Sequence, residues 1–369
     1  MKWLLAALFL LQAPVSQANS HFVREWSRSS LISPHFGFRH LNNMSPILSE
    51  NLVFLGNSVD GLKAFRRDSG AEVWRFQVKN GLEGLTLNND KVYFGAGDGF
   101  FYCLDSSTGQ VVWKKSLNTE SLTRPLILDS YIYHVAGNST LYVFNKENGE
   151  TVWVKTNAAK SNMTVRGQTT PVLENGILYV GWSDGTFTAL NAQNGREIWS
   201  KRIGDDKKFN DVDATPVLTA NCILVSSFAN ALFCLDKTNG SIRWRHDFGG
   251  YQSVFVSENK VYYSTLNGEI HILDLASGKL LKKILNLKGL ASLIQPMGPY
   301  LVYGESQGGL VVRNRDNLKK VFEFSPGRGV FASPTLDTKL NQIYFSSREG
   351  TLYRFDIKNS SSNPFPWSQ

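Results

Sequence analysis

A chain of 369 residues ordinarily divides into two or three domains, a prior that only a repeat architecture sets aside. Its three cysteines, Cys103, Cys222 and Cys234, are odd in number and lack the tight spacing of a metal-ligand set, which argues against a thiolate metal centre. The formal charge of +8 points to acidic protein faces or anionic headgroups as partners, or simply to solubility.

The chain starts with the pattern of an export signal. Lys2 precedes an apolar run over residues 3–11, and Ser16-Gln17-Ala18 puts small residues at the two positions a signal peptidase reads. The run is too short to cross a bilayer as a helix, and no second apolar stretch reaches membrane length. Residues 1–18 are therefore expected to be a cleaved signal peptide. Loss of the one charge of Lys2 takes the mature chain from +8 to +7. Export removes nucleic acid from the candidate partners. It leaves acidic proteins, anionic lipid and lipopolysaccharide.

From there a repeat runs through the chain. In 92–113, the β-branched and aromatic runs 92–94 and 100–104 flank Asp98-Gly99, a pair suited to the positive backbone angles of a tight hairpin. A second turn at Thr108-Gly109 launches a strand ending in Trp113, and an apolar strand around 84–87 precedes the set, giving four antiparallel strands per unit. The closing tryptophans Trp74, Trp113, Trp153, Trp199 and Trp244 are 39 to 46 residues apart, the period of a propeller blade. Their fixed place on the outer strand favours packing between blades over ligand stacking. The unit at 261–282 keeps the Asn267-Gly268 and Ser277-Gly278 turns but has Leu281 near the tryptophan position, and 301–321 keeps Gly308-Gly309. The eighth unit, 343–356, runs out after three strands, and Phe22-Val23-Arg24-Glu25-Trp26 has the ending that it lacks. The expected fold is all-β: one eight-bladed β-propeller over 19–358, about 32 strands, closed by the N-terminal strand so that no end blade is left with a free edge. Residues 359–369, rich in serine and proline, are expected to form a flexible tail.

Catalytic chemistry is not expected. Gly181-Trp182-Ser183-Asp184-Gly185 has the spelling of a nucleophile elbow, but it overlays the hairpin turn at 95–99 of another unit, where no strand runs into a helix. The six histidines, His21, His35, His40, His134, His246 and His271, are scattered and form no metal-binding helix pair. Asp98, Asp184, Asn138, Asn230 and Asn267 recur at hairpin turns, where short polar side chains suit the backbone. Cys103 and Cys234 sit at matching repeat positions, which marks a small buried strand residue; a Cys222–Cys234 disulfide stays open. No catalytic, metal or cofactor-binding residue is therefore assigned.

The segment Leu104-Asp105-Ser106-Ser107-Thr108-Gly109-Gln110-Val111-Val112-Trp113, repeated at 190–199 and 235–244, resembles the repeat of the pyrroloquinoline-quinone-type propellers. The adjacent cysteine pair of the quinoprotein dehydrogenases is missing, and the chain is much shorter than those enzymes. Across nearly the whole mature chain the sequence is similar to the BamB-like propellers of the outer-membrane β-barrel assembly machinery. The more specific stretches are Met163-Thr164-Val165-Arg166-Gly167 and Asn210-Asp211-Val212-Asp213-Ala214-Thr215-Pro216-Val217. The resemblance implies a non-enzymatic scaffold, a monomer within a complex, peripheral to the outer membrane in the periplasm. In that family the matching loops contact the POTRA domains of the central barrel-inserting subunit, which carries a partner-binding role onto Met163, Val165, Arg166, Asp211 and Asp213. Nascent outer-membrane proteins are a second class of partner. Family members are normally lipoproteins; no cysteine follows the apolar run here, so the expected chain has no lipid-anchor cysteine.

Spacing points to the same loops. The two longest intervals, Trp153 to Trp199 and Trp199 to Trp244, are stretched just after the outer strand, at 156–167 and 203–213. In a four-stranded meander both connections emerge on one face at consecutive junctions, and loops beyond the repeat's minimum are often functional. Met163 and Val165 would form an apolar centre, with Arg166, Asp211 and Asp213 fixing orientation. A local ion pair from Arg166 to Asp211 or Asp213 would serve only to order the loops. The competing functions are a quinone-dependent dehydrogenase, which needs a central calcium-ligating set, and a propeller binding envelope polysaccharide or lipopolysaccharide through its charge.

Overall fold

The computed structural model describes residues 20–32, 43–157, 169–203, 211–212, 214–228 and 230–359. Eight four-stranded antiparallel sheets follow one another around a ring. Blade 1 spans 47–77, blade 2 86–116, blade 3 126–156, blade 4 172–202, blade 5 217–246, blade 6 255–284 and blade 7 295–324. Blade 8 takes three strands from 335–359 and its outer strand, Ser20–Ser29, from the other terminus. That strand pairs along its length, from Ser20 opposite Asn359 to Ser29 opposite Thr351, so the ring closes through backbone hydrogen bonds. The 32 strands among the described residues match the number expected from the repeat.

Position within a blade decides how each strand reads. The two middle strands lie between neighbouring blades and are buried on both faces, as in Leu52–Asn57 and Phe100–Asp105, so they are near-continuous apolar and aromatic runs. The outer strands, such as Val111–Ser116 and Thr151–Thr156, bury one face at most and alternate. Seven successive core clusters each join side chains of adjacent blades, from Trp26 and Phe54 at the closure round to Phe345 and Phe355.

The tryptophans seal the junctions with a repeated device. A β-bulge in each outer strand inserts one residue before the ring: Cys103 faces Trp113, Leu104 faces Val111, and Val112 is the extra residue. The indole then leans on the next blade. Nε1 of Trp26, Trp74, Trp113, Trp153, Trp199 and Trp244 donates to the carbonyl of Arg67, Ser106, Lys146, Ala192, Lys237 and Leu275, at 2.9 to 3.2 Å. Each ring also lies flat on a glycine of that same turn, Gly70, Gly109, Gly149, Gly195, Gly240 or Gly278, where a Cβ would stand 2.5 to 2.8 Å from ring carbons. All six glycines hold φ between +67° and +73°, so the turn and the close approach both require the missing side chain.

Two junctions depart from this. Between blades 7 and 8, Phe322 holds the tryptophan register opposite Val312 and stacks on Phe22 with ring centroids 4.6 Å apart. Between blades 6 and 7 the register residue is Lys282, opposite Ile272, and Leu281, near that position in sequence, is the bulge residue beside it. Cys222 and Cys234 are joined in a disulfide within blade 5, and Cys103 is buried as a free thiol that burial pushes up to about 11.

Candidate functional site

The two long connections rise on the face that also carries the turns between second and third strands of each blade. Their feet are fixed there by backbone and side-chain bonds. The first leaves blade 3 with Asn157, whose N–H donates to Ser139 O at 2.9 Å and whose Nδ2 donates to Asp184 Oδ1 at 3.3 Å. It re-enters blade 4 at Thr169, and the second leaves blade 4 at Ile203, whose N–H donates to Gly185 O at 2.9 Å. The second returns through Asp211 and Val212: Val212 N–H donates to Trp182 O at 3.3 Å, and Phe228 N–H donates to Asp211 O at 3.0 Å. Thr169 Oγ1 donates to Ala214 O at 3.2 Å, so the returning ends of the two connections are bonded to each other.

Packing holds the two described ends of the second connection. Val212 and Ile203 are buried in one cluster with Phe187, Tyr179 and Phe233. Val212 presses on Gly181, where a Cβ would meet its Cγ1 and carbonyl oxygen at 2.6 Å; only glycine fits that approach. Trp182, also buried, donates from Nε1 to Thr188 Oγ1 at 3.0 Å. The turn Trp182-Ser183-Asp184-Gly185 is a hairpin, with Asp184 accepting from the Thr186 N–H at 3.0 Å and hydroxyl at 2.9 Å and Ser183 bonded to the Ser139 hydroxyl at 3.0 Å. That geometry serves the turn: among the described residues Ser183 bonds the Ser139 hydroxyl and has no helix behind it.

Of the five residues singled out by sequence, Met163, Val165, Arg166 and Asp213 lie outside the described residues. Asp211 is described and fully buried, with no side-chain surface open to solvent. Trp182 and Val212 stand in stretches the sequence marks out, but neither they nor Thr169 is assigned a role there. Trp182 carries a repeat-position signal, following the Gly181 that matches Gly95 of blade 2.

A cavity of about 870 Å³ runs into the ring's centre, lined by first-strand segments of blades 1, 5, 6, 7 and 8 together with Arg124. A calcium-bound quinone would require several carboxylate or amide ligands around one point. The one carboxylate in this lining, Asp337, is bonded to Arg67 at 2.5 Å, and Arg67 also reaches Gln342 Oε1 at 2.8 Å. The residues present do not fit that group. Elsewhere, the fold brings together two histidines that the sequence separates: His246 Nε2 lies 2.8 Å from His271 Nδ1, and His271 Nε2 lies 2.7 Å from Glu269 Oε2. His134 is wholly buried against Ser121 and Thr123, and burial pushes it down to about 3. Among the described residues no three metal-capable side chains gather into a site.

The family model described as outer membrane protein assembly factor BamB matches residues 59–284. Among curated relatives, BamB of Salmonella typhimurium (strain LT2) is 26% identical over 361 residues, covering 92% of this chain and 91% of that protein. BamB of Escherichia coli (strain K12) is 25% identical over 360 residues with the same coverage. The crystal structure of BamB from Moraxella catarrhalis superposes with a TM-score of 0.77 at 18% identity, covering 91% of this chain and 100% of that one. Quinohemoprotein alcohol dehydrogenase from Comamonas testosteroni has the same ring, with a TM-score of 0.74 at 14% identity over 91% of this chain and 76% of its own. At such identities the two structures speak for the fold alone.

Proposed function

This chain belongs to the outer membrane protein assembly factor BamB family, and from that premise we propose that it is a non-enzymatic scaffold of outer-membrane protein assembly, working at the periplasmic face of the outer membrane. Its partner is the central barrel-inserting subunit, held by its POTRA domains against the loops 156–167 and 203–213. The observation that carries this reading is the Thr169 to Ala214 bond, which ties the returning ends of two over-long connections at consecutive junctions. The bond fixes where the two connections rejoin the ring before any partner binds, which lowers the ordering cost of association. Met163 and Val165 supply the apolar centre, with Arg166 and Asp213 as charged flanks. Asp211, being buried, acts from beneath by holding its loop to Phe228.

The test is capture of the central subunit from intact envelopes by the full chain and by Arg166→Glu. The variant is expected to lose capture at an unchanged melting temperature, because a charge reversal on an interface flank acts on binding and not on the ring. Full capture by the variant would remove Arg166 from the interface. A photoreactive residue at 165 that crosslinks only to an unrelated protein would overturn the choice of partner.

A further inference from the structure

The junction between blades 6 and 7 keeps the shape of a tryptophan socket without the tryptophan. Tyr262 stands where Tyr93 stands in blade 2, and there the Trp113 ring lies 6.1 Å from that tyrosine. Ile272 takes the place of Cys103 opposite the register residue. Arg315 N–H donates to Pro299 O at 2.8 Å as Ser106 N–H does to Asp90 O, so the Arg315 carbonyl occupies the position from which Ser106 accepts an indole N–H. Leu318 holds φ +60° where the other turns have glycine; with no indole against the turn, a side chain is tolerated. The result is a cavity of about 620 Å³ whose apolar walls are Tyr262, Ile272, Leu281 and Leu318. Phe322 and Phe22 fill the equivalent place at the next junction, so the opening is particular to this one.

The rim carries three cations and two carboxylates and is net positive. Arg315 is paired with Glu258 at 2.8 Å, which leaves Lys260 and Lys282, both exposed, against Asp316. Beside the opening the outer strand Leu280–Ile284 is paired on one side only and exposes Leu280 and Leu281. A ligand that fits all three features has an aromatic ring with a donor hydrogen, a carboxylate next to it, and an extended backbone. Strands of outer-membrane barrels alternate outward apolar residues, with aromatic girdles, and inward polar ones.

We propose that the cavity between blades 6 and 7 is a docking socket for an aromatic side chain, tryptophan above all, carried with a neighbouring carboxylate on an extended strand of an unfolded outer-membrane client. The assignment rests on the scaffold reading above and names the feature of the client that is recognised. The incoming ring makes in trans the contact that six indoles make within the chain, donating to the Arg315 carbonyl and packing on Tyr262, while Lys260 and Lys282 face the carboxylate.

The test uses a short fluorescent peptide of alternating apolar and polar residues with one tryptophan beside a glutamate, read by anisotropy against the full chain. Replacing that tryptophan by alanine should weaken binding about tenfold or more, as loss of a central aromatic anchor does. The double variant Lys282→Trp with Leu318→Gly rebuilds the missing tryptophan and glycine and should abolish binding. Should that variant fold poorly, Lys260→Glu with Lys282→Glu, on exposed positions, should weaken binding and reverse its salt dependence, because added salt then screens a repulsion. Equal binding of the alanine peptide, or undiminished binding by the rebuilt or charge-reversed chain, overturns the socket. A peptide that binds only after removal of 360–369 would assign the socket to the chain's own tail and overturn the client. Capture of the central subunit, measured on the same variants, reports on the loops of the opposite face and separates failure of this inference from failure of the scaffold reading.

Discussion

Gly109→Ala tests whether the tryptophan seals hold the ring. Gly109 sits at φ +73°, where alanine costs about 1 kcal/mol through backbone strain alone. Its added Cβ would also stand 2.6 and 2.7 Å from Cε3 and Cδ2 of Trp74, atoms of a fused ring that cannot bend away. The indole has to slide, which strains a packed junction by about 1–3 kcal/mol. It also weakens the 2.9 Å bond from Nε1 to Ser106 O, worth about 1 kcal/mol. The expected loss is about 2–5 kcal/mol. Gly176→Ala supplies the control: φ is +76°, nothing lies within 4 Å, and the loss should be about 1 kcal/mol. Urea unfolding at a constant m-value reads both. In a Trp74→Leu background the Gly109→Ala loss should shrink to that of Gly176→Ala, because the ring it collides with is gone. Equal losses for the two glycines in the native background, or no coupling to Trp74, would refute the account.

Reducing Cys222–Cys234, which are 12 residues apart, should lower stability by about 3 kcal/mol through the freed chain, and a Cys222→Ala, Cys234→Ala chain should unfold identically with and without reductant. Acid should destabilise the ring well before its carboxylates titrate. Burial holds His134 down to about 3 and His246 to about 4, the latter aided by His271, so below pH 6.5 the unfolded chain takes up protons that the folded chain refuses. Stability is then full above pH 6.5 and falls toward pH 4 with a slope of about 1.4 kcal/mol per pH unit for each histidine. A His134→Gln chain should show a shallower slope between pH 6 and 4, and an unchanged slope would count against this origin. Asp337→Ala should cost about 2–3 kcal/mol, because Arg67 of blade 1 is nine-tenths buried and would lose its ion-pair partner across the closure. Retained stability in urea would show that Gln342 and Tyr344 suffice to hold that guanidinium.

The blades were legible because each blade repeats local chemistry. Asp105 illustrates it: Oδ1 accepts from the Ser107 and Thr108 N–H groups at 3.0 and 2.8 Å, a turn written in four residues. The eighth blade was legible too, since strand-plus-tryptophan at 22–26 had no other partner of its kind. What lay beyond the sequence was relation across blades. Gly109 reads as a turn residue, and its second task, making room for Trp74, depends on a residue 35 positions earlier in another sheet. The bulge before each tryptophan is likewise hidden from periodicity: Leu281 lies near the tryptophan position in sequence, yet it is the extra residue of the bulge and Lys282 holds the register. Asp211 looks like a surface charge by residue type. It is buried where its carbonyl accepts from Phe228 and the next residue bonds the Trp182 turn, partners that approach only in the folded ring.

The seals and the long loops occupy opposite faces, and this separates stability from binding. Each indole reaches the turn between the third and fourth strands of the next blade, whereas the loops leave beside the turns between second and third strands. The junctions that carry the loops keep both parts of the seal, Trp153 on Gly195 and Trp199 on Gly240, and blade 5 adds the disulfide. Loop length can therefore vary on one face while the other fixes the angle between blades, and closing a longer loop adds little cost once its ends are held. The junction of blades 6 and 7 differs in kind. It gives up the indole and the glycine together, and the cluster around Ile270, Tyr303 and Val311 still binds the two blades. A junction held without its seal has a sealing position to spare, and the cavity beside Lys282 is what such a position leaves on the face where the seals lie.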